Sequence, residues 1–385
     1  MKPRALFARS EGSAARGYRR YRGAKKPLPW YGWLLLSALL SALSAFFWFG
    51  SRRFAPLGAL LRRGALAVSA FLSRLTGLIP IPLSEWLLAG LIFGVLIWLT
   101  VTLLRRRWAA FGRGFCFLVF LGSLILFLFV SLFLVQHSAP PLAQRLGLTV
   151  EQHTADHLAE YVAYTVEQTN ALADKVPRSA AGDCDFGPFK SLSRLVQAEY
   201  DRLASENAVF AVPRPSSGKR SLLGGRIMSR IDLAGYYFPY TGEQIISTDV
   251  VDSHIPFDVA HEGAHARGIG PEDECNFAAW LVLKDSGDVR LRYSAWLNAY
   301  IYANNALFAV DRERASALYS SLPPEARHDL TVLNESLRRF EGKLNDLGSA
   351  VNDAYIKATG QPEGVRSYGK VVDLLLAWHD REAAR

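Results

Sequence analysis

The sequence predicts a membrane protein in which three N-terminal transmembrane helices precede a mainly α-helical (α+β) extracytoplasmic domain with a small β-hairpin. Three observations predict it: long uncharged apolar runs confined to the first third of the chain, a split in charge where the last run ends, and helical periodicity through most of the remainder. Of the 385 residues 50% are hydrophobic, and that content is concentrated in front.

The runs are Trp30 to Gly50, Leu83 to Leu104 and Gly114 to Gln136. Each has about twenty residues, enough at 1.5 Å per residue to cross a hydrocarbon core of roughly 30 Å. Their one charge is Glu85, at an end where it can reach the interface. Residues 1–28 do not read as a cleavable signal peptide, because the apolar run behind them is full span length and no small-residue cleavage pattern follows. The first span is therefore expected to stay as an anchor.

Orientation follows from lysine and arginine near the span ends. Nine basic residues (Lys2, Arg4, Arg9, Arg16, Arg19, Arg20, Arg22, Lys25 and Lys26) precede the first span, and Arg105, Arg106, Arg107 and Arg113 follow the second. Both segments are expected in the cytoplasm. Between the first two spans, "FAPLGALLRRGALAVSAFLSRL" reads as an amphipathic helix lying on the membrane surface. The expected division is a basic cytoplasmic segment, 1–29, a three-span anchor, 30–138, and an extracytoplasmic domain, 139–385. The net charge of +9 divides at this boundary into +16 for residues 1–138 and −7 for the rest. Basicity is thus topology and attraction to anionic lipid in a cell membrane, and nucleic acid is not expected as a partner. An oxidising location would permit a disulfide between Cys184 and Cys275, though sequence does not decide pairing.

Beyond the Pro-bearing linker "HSAPPLAQRLG", helical spacing of Leu158, Val162 and Val166 predicts a helix from Val150 to about Lys175, and Phe189 to Glu206 reads likewise. "AVPRPSSGKRSLLGG" is a polar loop. "AGYYFPY" and "EQIISTDVV", with a Thr-Gly turn between them, carry the hairpin signal. Helices are then expected over Pro256–Arg267, Glu272–Asp285, Arg290–Val310 and from Pro324 onward, broken at "TGQPEGV".

The chemistry lies in "PFDVAHEGAHARGIGPEDECNF". His261 and His265 are four apart on one helix, so both imidazoles project from one face and can hold one ion. Glu262 is then placed to reach a water on that ion. This HExxH arrangement suits Zn²⁺, with neutral imidazoles as ligands and the glutamate as general base. After the "RGIGP" break, Glu272 opens a second helix with Asn276 one turn on, which allows Glu272 to be the third ligand and Asn276 to orient a histidine. Glu274 is the second choice for that ligand and Asp273 the third. The plain alternative is solvated histidines beside an acidic helix start favoured by the helix dipole.

The Glu-x-x-x-Asn helix after HExxH resembles the gluzincin type of zinc metallopeptidase. More closely, "GYYFPYTGEQIISTD", "PFDVAHEGAHARGIGPEDECNFAAWL", "RYSAWLNAYIY" and "VNDAYIKATGQPEGVRSYGKVVDLLL" resemble a bacterial family of three-span membrane proteins known as domain-of-unknown-function family 3810. Its usual pattern is HELAH followed by GxxREDEANF. Here Gly263 replaces Leu, Pro271 replaces Arg and Cys275 replaces Ala, none of them a ligand or base. The resemblance implies a zincin-like fold and peptidase activity, with no substrate attached. The expected function is a membrane-anchored metallopeptidase in which His261, His265 and Glu272 hold Zn²⁺ and Glu262 deprotonates the water it carries. "GYYFPY" or "EQIIST" could be an edge strand that pairs with a peptide or protein substrate, or plain sheet core. Tyr293, Tyr302 and His254 are weaker candidates for stabilising an oxyanion, since tyrosines at helical spacing often serve packing. Two rivals stand beside this reading: a catalytically silent zinc-binding or protein-binding receptor domain, which needs no Glu262, and a transporter, which these spans, nearly bare of polar residues, do not favour.

Overall fold

The computed structural model describes residues 29–231, 233–247, 249–339, 342–359 and 368–385. The nine basic residues of the expected cytoplasmic segment and most of the "TGQPEGV" break lie outside the described residues. Among the described residues four helices, rather than the expected three, are long and apolar enough to cross a bilayer: α1 (Trp30–Arg53), α2 (Ala55–Gly77), α3 (Leu83–Leu104) and α4 (Trp108–Leu132). The third expected run starts two turns earlier than its uncharged part, because Trp108, Ala109, Ala110 and Phe111 continue the apolar pattern past Arg113.

Aromatic contacts fix how these helices run. Trp33 meets Phe117 and Phe120 while Phe47 meets Phe127, so α1 and α4 are parallel. Trp98 stacks on Phe111 at 5.3 Å, so the end of α3 meets the start of α4 in an antiparallel hairpin. Several serine and threonine hydroxyls within these helices bond back to carbonyls three or four residues earlier, as Ser37 does to Trp33 and Thr102 to Trp98, which satisfies those donors in an apolar setting.

The additional helix, α2, was expected as a surface helix, and its three arginines are diluted by alanine and leucine until its mean hydropathy is 1.3. It is held at two points. Arg62 donates to the Ser138 carbonyl at 2.9 Å, and fourteen residues later Thr76 donates to the Thr241 carbonyl at 3.0 Å. Its buried face is small or polar (Gly58, Ala65, Ser69, Ala70, Ser73, Thr76), whereas Leu60, Val68, Phe71 and Leu75 point outward and are exposed.

After a 3₁₀ turn at Leu134–Ser138 come the short α5 (Leu142–Leu146), α6 (Ala155–Ala173) and α7 (Phe189–Glu206). Thr154 caps α6 by accepting from the His157 amide at 3.1 Å. On α7, Leu192, Val196, Tyr200 and Leu203 form the buried stripe. The loop that follows holds a two-residue strand, β1 (Lys219–Arg220), and α8 (Gly225–Arg230). Two residues are too few for any alternation to register. The expected hairpin is β2 (Gly235–Phe238) and β3 (Glu243–Ile246). Sheet order is β1-β3-β2, with β3 parallel to β1 and antiparallel to β2, and Gly235 opposite Ile246. "EQII" is thus central and fully buried, and "GYYF" is the edge.

Glu243 and Glu85 clamp this sheet to the spans. Glu243 accepts from the Leu83 and Ser84 amides (2.9 and 2.7 Å) at the start of α3 and from Lys219 at 2.6 Å. Glu85 is buried, not at an open interface, and accepts from Ser221 and from the amides of Leu222, Leu223 and Gly224.

The remaining helices are α9 (Ile255–His265), α10 (Glu272–Leu283), α11 (Val289–Val310), α12 (Arg312–Ser320), α13 (Pro324–Arg338), α14 (Lys343–Ala358) and α15 (Tyr368–Ala383). The α9/α10 pair sits inside a shell of α6, α7, α11 and α15, with Trp280 packed edge to face on Trp296 and Trp378 and Phe277 tilted against Trp280 and Trp378. Cys184 and Cys275 are free thiols: Cys184 bonds Asp329 and Cys275 contacts the Ile269 carbonyl at 3.3 Å, so no disulfide joins them.

Candidate metal centre

Pro256 in the first turn of α9 presets its start, and the helix stops one turn after His261. The stop is made by Gly268, whose φ of +82° lets the Ile269 amide turn back to the Ala264 carbonyl at 3.1 Å. A side chain there would also collide with Gln136. The same turn brings the Ile269 carbonyl to 3.0 Å from His265 Nδ1. Pro271 then leads into α10, whose first turn carries Glu272, Asp273 and Glu274, a placement the helix dipole favours.

Asn276 Oδ1 lies 2.8 Å from His261 Nδ1. With an acceptor facing each Nδ1, that nitrogen is the one that keeps its proton when an ion takes the ring, which leaves each Nε2 as the ligand atom. Both point at one atom: Glu272 Oε2 is 3.1 Å from His261 Nε2 and 3.5 Å from His265 Nε2. The three ligand atoms lie within 4.8 Å of one another, and among the described residues no other group of three His, Cys, Asp or Glu does so. Bonds of about 2.0–2.1 Å to a tetrahedral zinc would place neighbouring donors roughly 3.3 Å apart, so the residues present fit that ion.

The alternatives for the third ligand separate by direction. Glu274 turns away to accept from the Leu142 amide at 2.8 Å, while Asp273 lines the cleft beside Glu272. Burial pushes the Glu274 carboxyl up to about 7. Burial also opposes ionisation of Glu272, but His265 and His261 hold it well below the usual carboxylate range. Burial pulls the His261 ring down, and the hydrogen bond and charge of Glu272 more than reverse this, leaving it raised.

Glu262 is buried on the same helix turn, and its Oε2 has no hydrogen-bond partner among the described residues. Burial raises it to about 8, opposed by His261 and reinforced by Glu272 and Asp258. It faces the start of β2, where Gly235 is required: a Cβ there would lie 2.8 Å from Glu262 Oε1. The site opens into a cleft of about 650 Å³. Of the three oxyanion candidates, Tyr302 and His254 line this cleft, and burial pulls His254 down to about 4. Tyr293 does not; it is buried in the core with its hydroxyl bonded to Asp329.

Residues from distant segments complete the surroundings. The Phe133 ring, just past the end of α4, stands 5.5 Å from the His265 ring, and His137 packs behind Gly270. Asp258, one turn before His261, lines the cleft and is raised to about 7 by burial. Its spacing from His261 was a readable signal; Phe133 and His137 had none, since only the fold brings them here. Gly263 lies against Tyr200, whose ring also stacks under the Arg267 guanidinium at 3.7 Å.

A family model described as "Protein of unknown function (DUF3810)" matches residues 66–376. No curated protein and no solved structure matches the chain.

Proposed function

We propose that this chain, which belongs to the DUF3810 family, is a membrane-anchored zinc metallopeptidase. The observation that carries the reading is the convergence of His261 Nε2, His265 Nε2 and Glu272 Oε2 on one point beside the unpartnered Glu262 oxygen. Zinc bound there would supply Lewis acidity toward a water and a peptide carbonyl. The chain's own groups do the rest. Glu262 takes the proton from the water and delivers it to the leaving amine. Asn276 and the Ile269 carbonyl hold the two imidazoles in the donor orientation. The free edge of β2 offers main-chain groups to an extended substrate, with Gly235 letting that strand approach Glu262.

In this reading α1, α3 and α4 span the membrane with Arg105, Arg106 and Arg107 in the cytoplasm. The globular part is then outside, and α2 lies in the outer interface. What supports the placement of α2 is that Arg62 bonds the Ser138 turn just past α4 while Ser73 and Thr76 bond Ser216 and Thr241 of the globular part, with its large apolar side chains exposed.

The test is Glu262→Gln in the purified full chain. It is expected to retain zinc at the parent's stoichiometry and to lose peptide hydrolysis by at least about a hundredfold. Hydrolysis at the parent's rate would end the general-base assignment.

A further inference from the structure

The candidate site is built onto the ends of the spans. Phe129 and Phe133, from the outer end of α4, form part of the cleft wall, and one ring separates that helix end from His265. The edge strand is tied to the spans as well: Tyr236 meets Ser84 at the start of α3 at 3.3 Å, and Tyr240, just past β2, donates to the Ile125 carbonyl within α4 at 3.1 Å. The opposite wall is anchored likewise. Asn352 and Ile356 of α14 line the cleft, α14 packs through Gly348 on Ile231 after α8, and Arg52 at the end of α1 donates to the Thr359 carbonyl at 2.8 Å. Around this wall Leu222, Leu223, Ile227, Leu347 and Val351 are exposed apolar side chains. An apolar rim set at the ends of membrane helices is costly in water and satisfied in the lipid interface.

We infer that the substrate is a polypeptide anchored in the same bilayer, cut in the extended segment just outside its own anchor. This rests on the peptidase reading of the site. A chain leaving the bilayer beside α4 passes Phe133 and reaches His265 within a few residues, each covering ~3.3 Å when extended. The unpaired side of β2 is presented to it on the way. A soluble polypeptide would have to enter between lipid and the apolar rim.

Two measurements on the full chain test this. In nanodiscs, p-benzoylphenylalanine placed at Ile227 or Leu347 should give phospholipid adducts on irradiation, while the same group at Tyr319 on α12, which packs on α6 and α11, should not. Absence of adducts at Ile227 and Leu347 would overturn the placement of the rim. Second, new protein termini are mapped in membranes of cells producing the parent or Glu262→Gln, with equal zinc content as the check on folding. Termini dependent on the parent should fall within about ten extended residues of a span end or lipid anchor. Termini in soluble proteins, or scattered far from anchors, would overturn the inference and leave the peptidase reading standing. No parent-dependent termini at all would overturn that reading, and the inference with it.

Discussion

Asn276 illustrates how much of the site depends on side chains that are not ligands. Its carbonyl oxygen is 2.8 Å from His261 Nδ1, and removing it frees the ring to rotate or change tautomer. Asn276→Ala is expected to weaken zinc binding by about 10–100-fold in chelator competition, without unfolding the chain. Gly263 is a different case. Leucine at this position would meet the Tyr200 ring, since even a Cβ comes within 2.8 Å of it. Gly263→Leu should therefore destabilise by about 1–3 kcal/mol as read by thermal melting, unless Tyr200 and Arg267 change with it. At this scale the sequence was legible where spacing is local: His261 and His265 by their four-residue separation, Asn276 by its turn after Glu272. The choice between Glu272 and Glu274 needed a direction in space. In the structure the Leu142 amide claims Glu274 from 132 positions away, while Glu272 faces the two histidines.

Among the elements, β2 and α3 carry the consequences. Gly235→Ala would press a methyl group on Glu262 and on the Ile245 carbonyl, 3.0 Å away. Turnover is expected to fall by about tenfold to a hundredfold with zinc content unchanged, because a small misplacement of a reacting group has that cost. Glu243 ties α3 to the sheet, and its salt bridge with Lys219 is buried. Although burial opposes its ionisation, Lys219 and the amides of Leu83 and Ser84 hold its folded pKa below the ordinary 4.5. Its contribution is therefore present above about pH 4.5 and lost as pH falls through the lower folded value. Thermal melts of parent and Glu243→Gln should differ clearly at pH 7 and converge at pH values below 4; an equal gap at both would contradict the assignment. The hairpin was readable from its aromatic and β-branched residues, whereas β1 was not. Lys219 joins the sheet because its ammonium finds Glu243, a tertiary contact with no local signature.

For the whole molecule, charge division and apolar runs identified the membrane part, while the number of apolar helices did not follow from them. α2 has the length of a span and the sequence pattern of a surface helix, and hydropathy alone does not separate the two. Reporter fusions after Phe54 and after Ile79 should both report the outer side, with a fusion after Arg106 inside; opposite sides for the first two would make α2 a true span. Metal analysis of the purified full chain tests the proposed metal centre of α9 and α10 most directly. The parent should carry about one zinc per chain and His265→Ala essentially none. Zinc content unchanged by His265→Ala would contradict it.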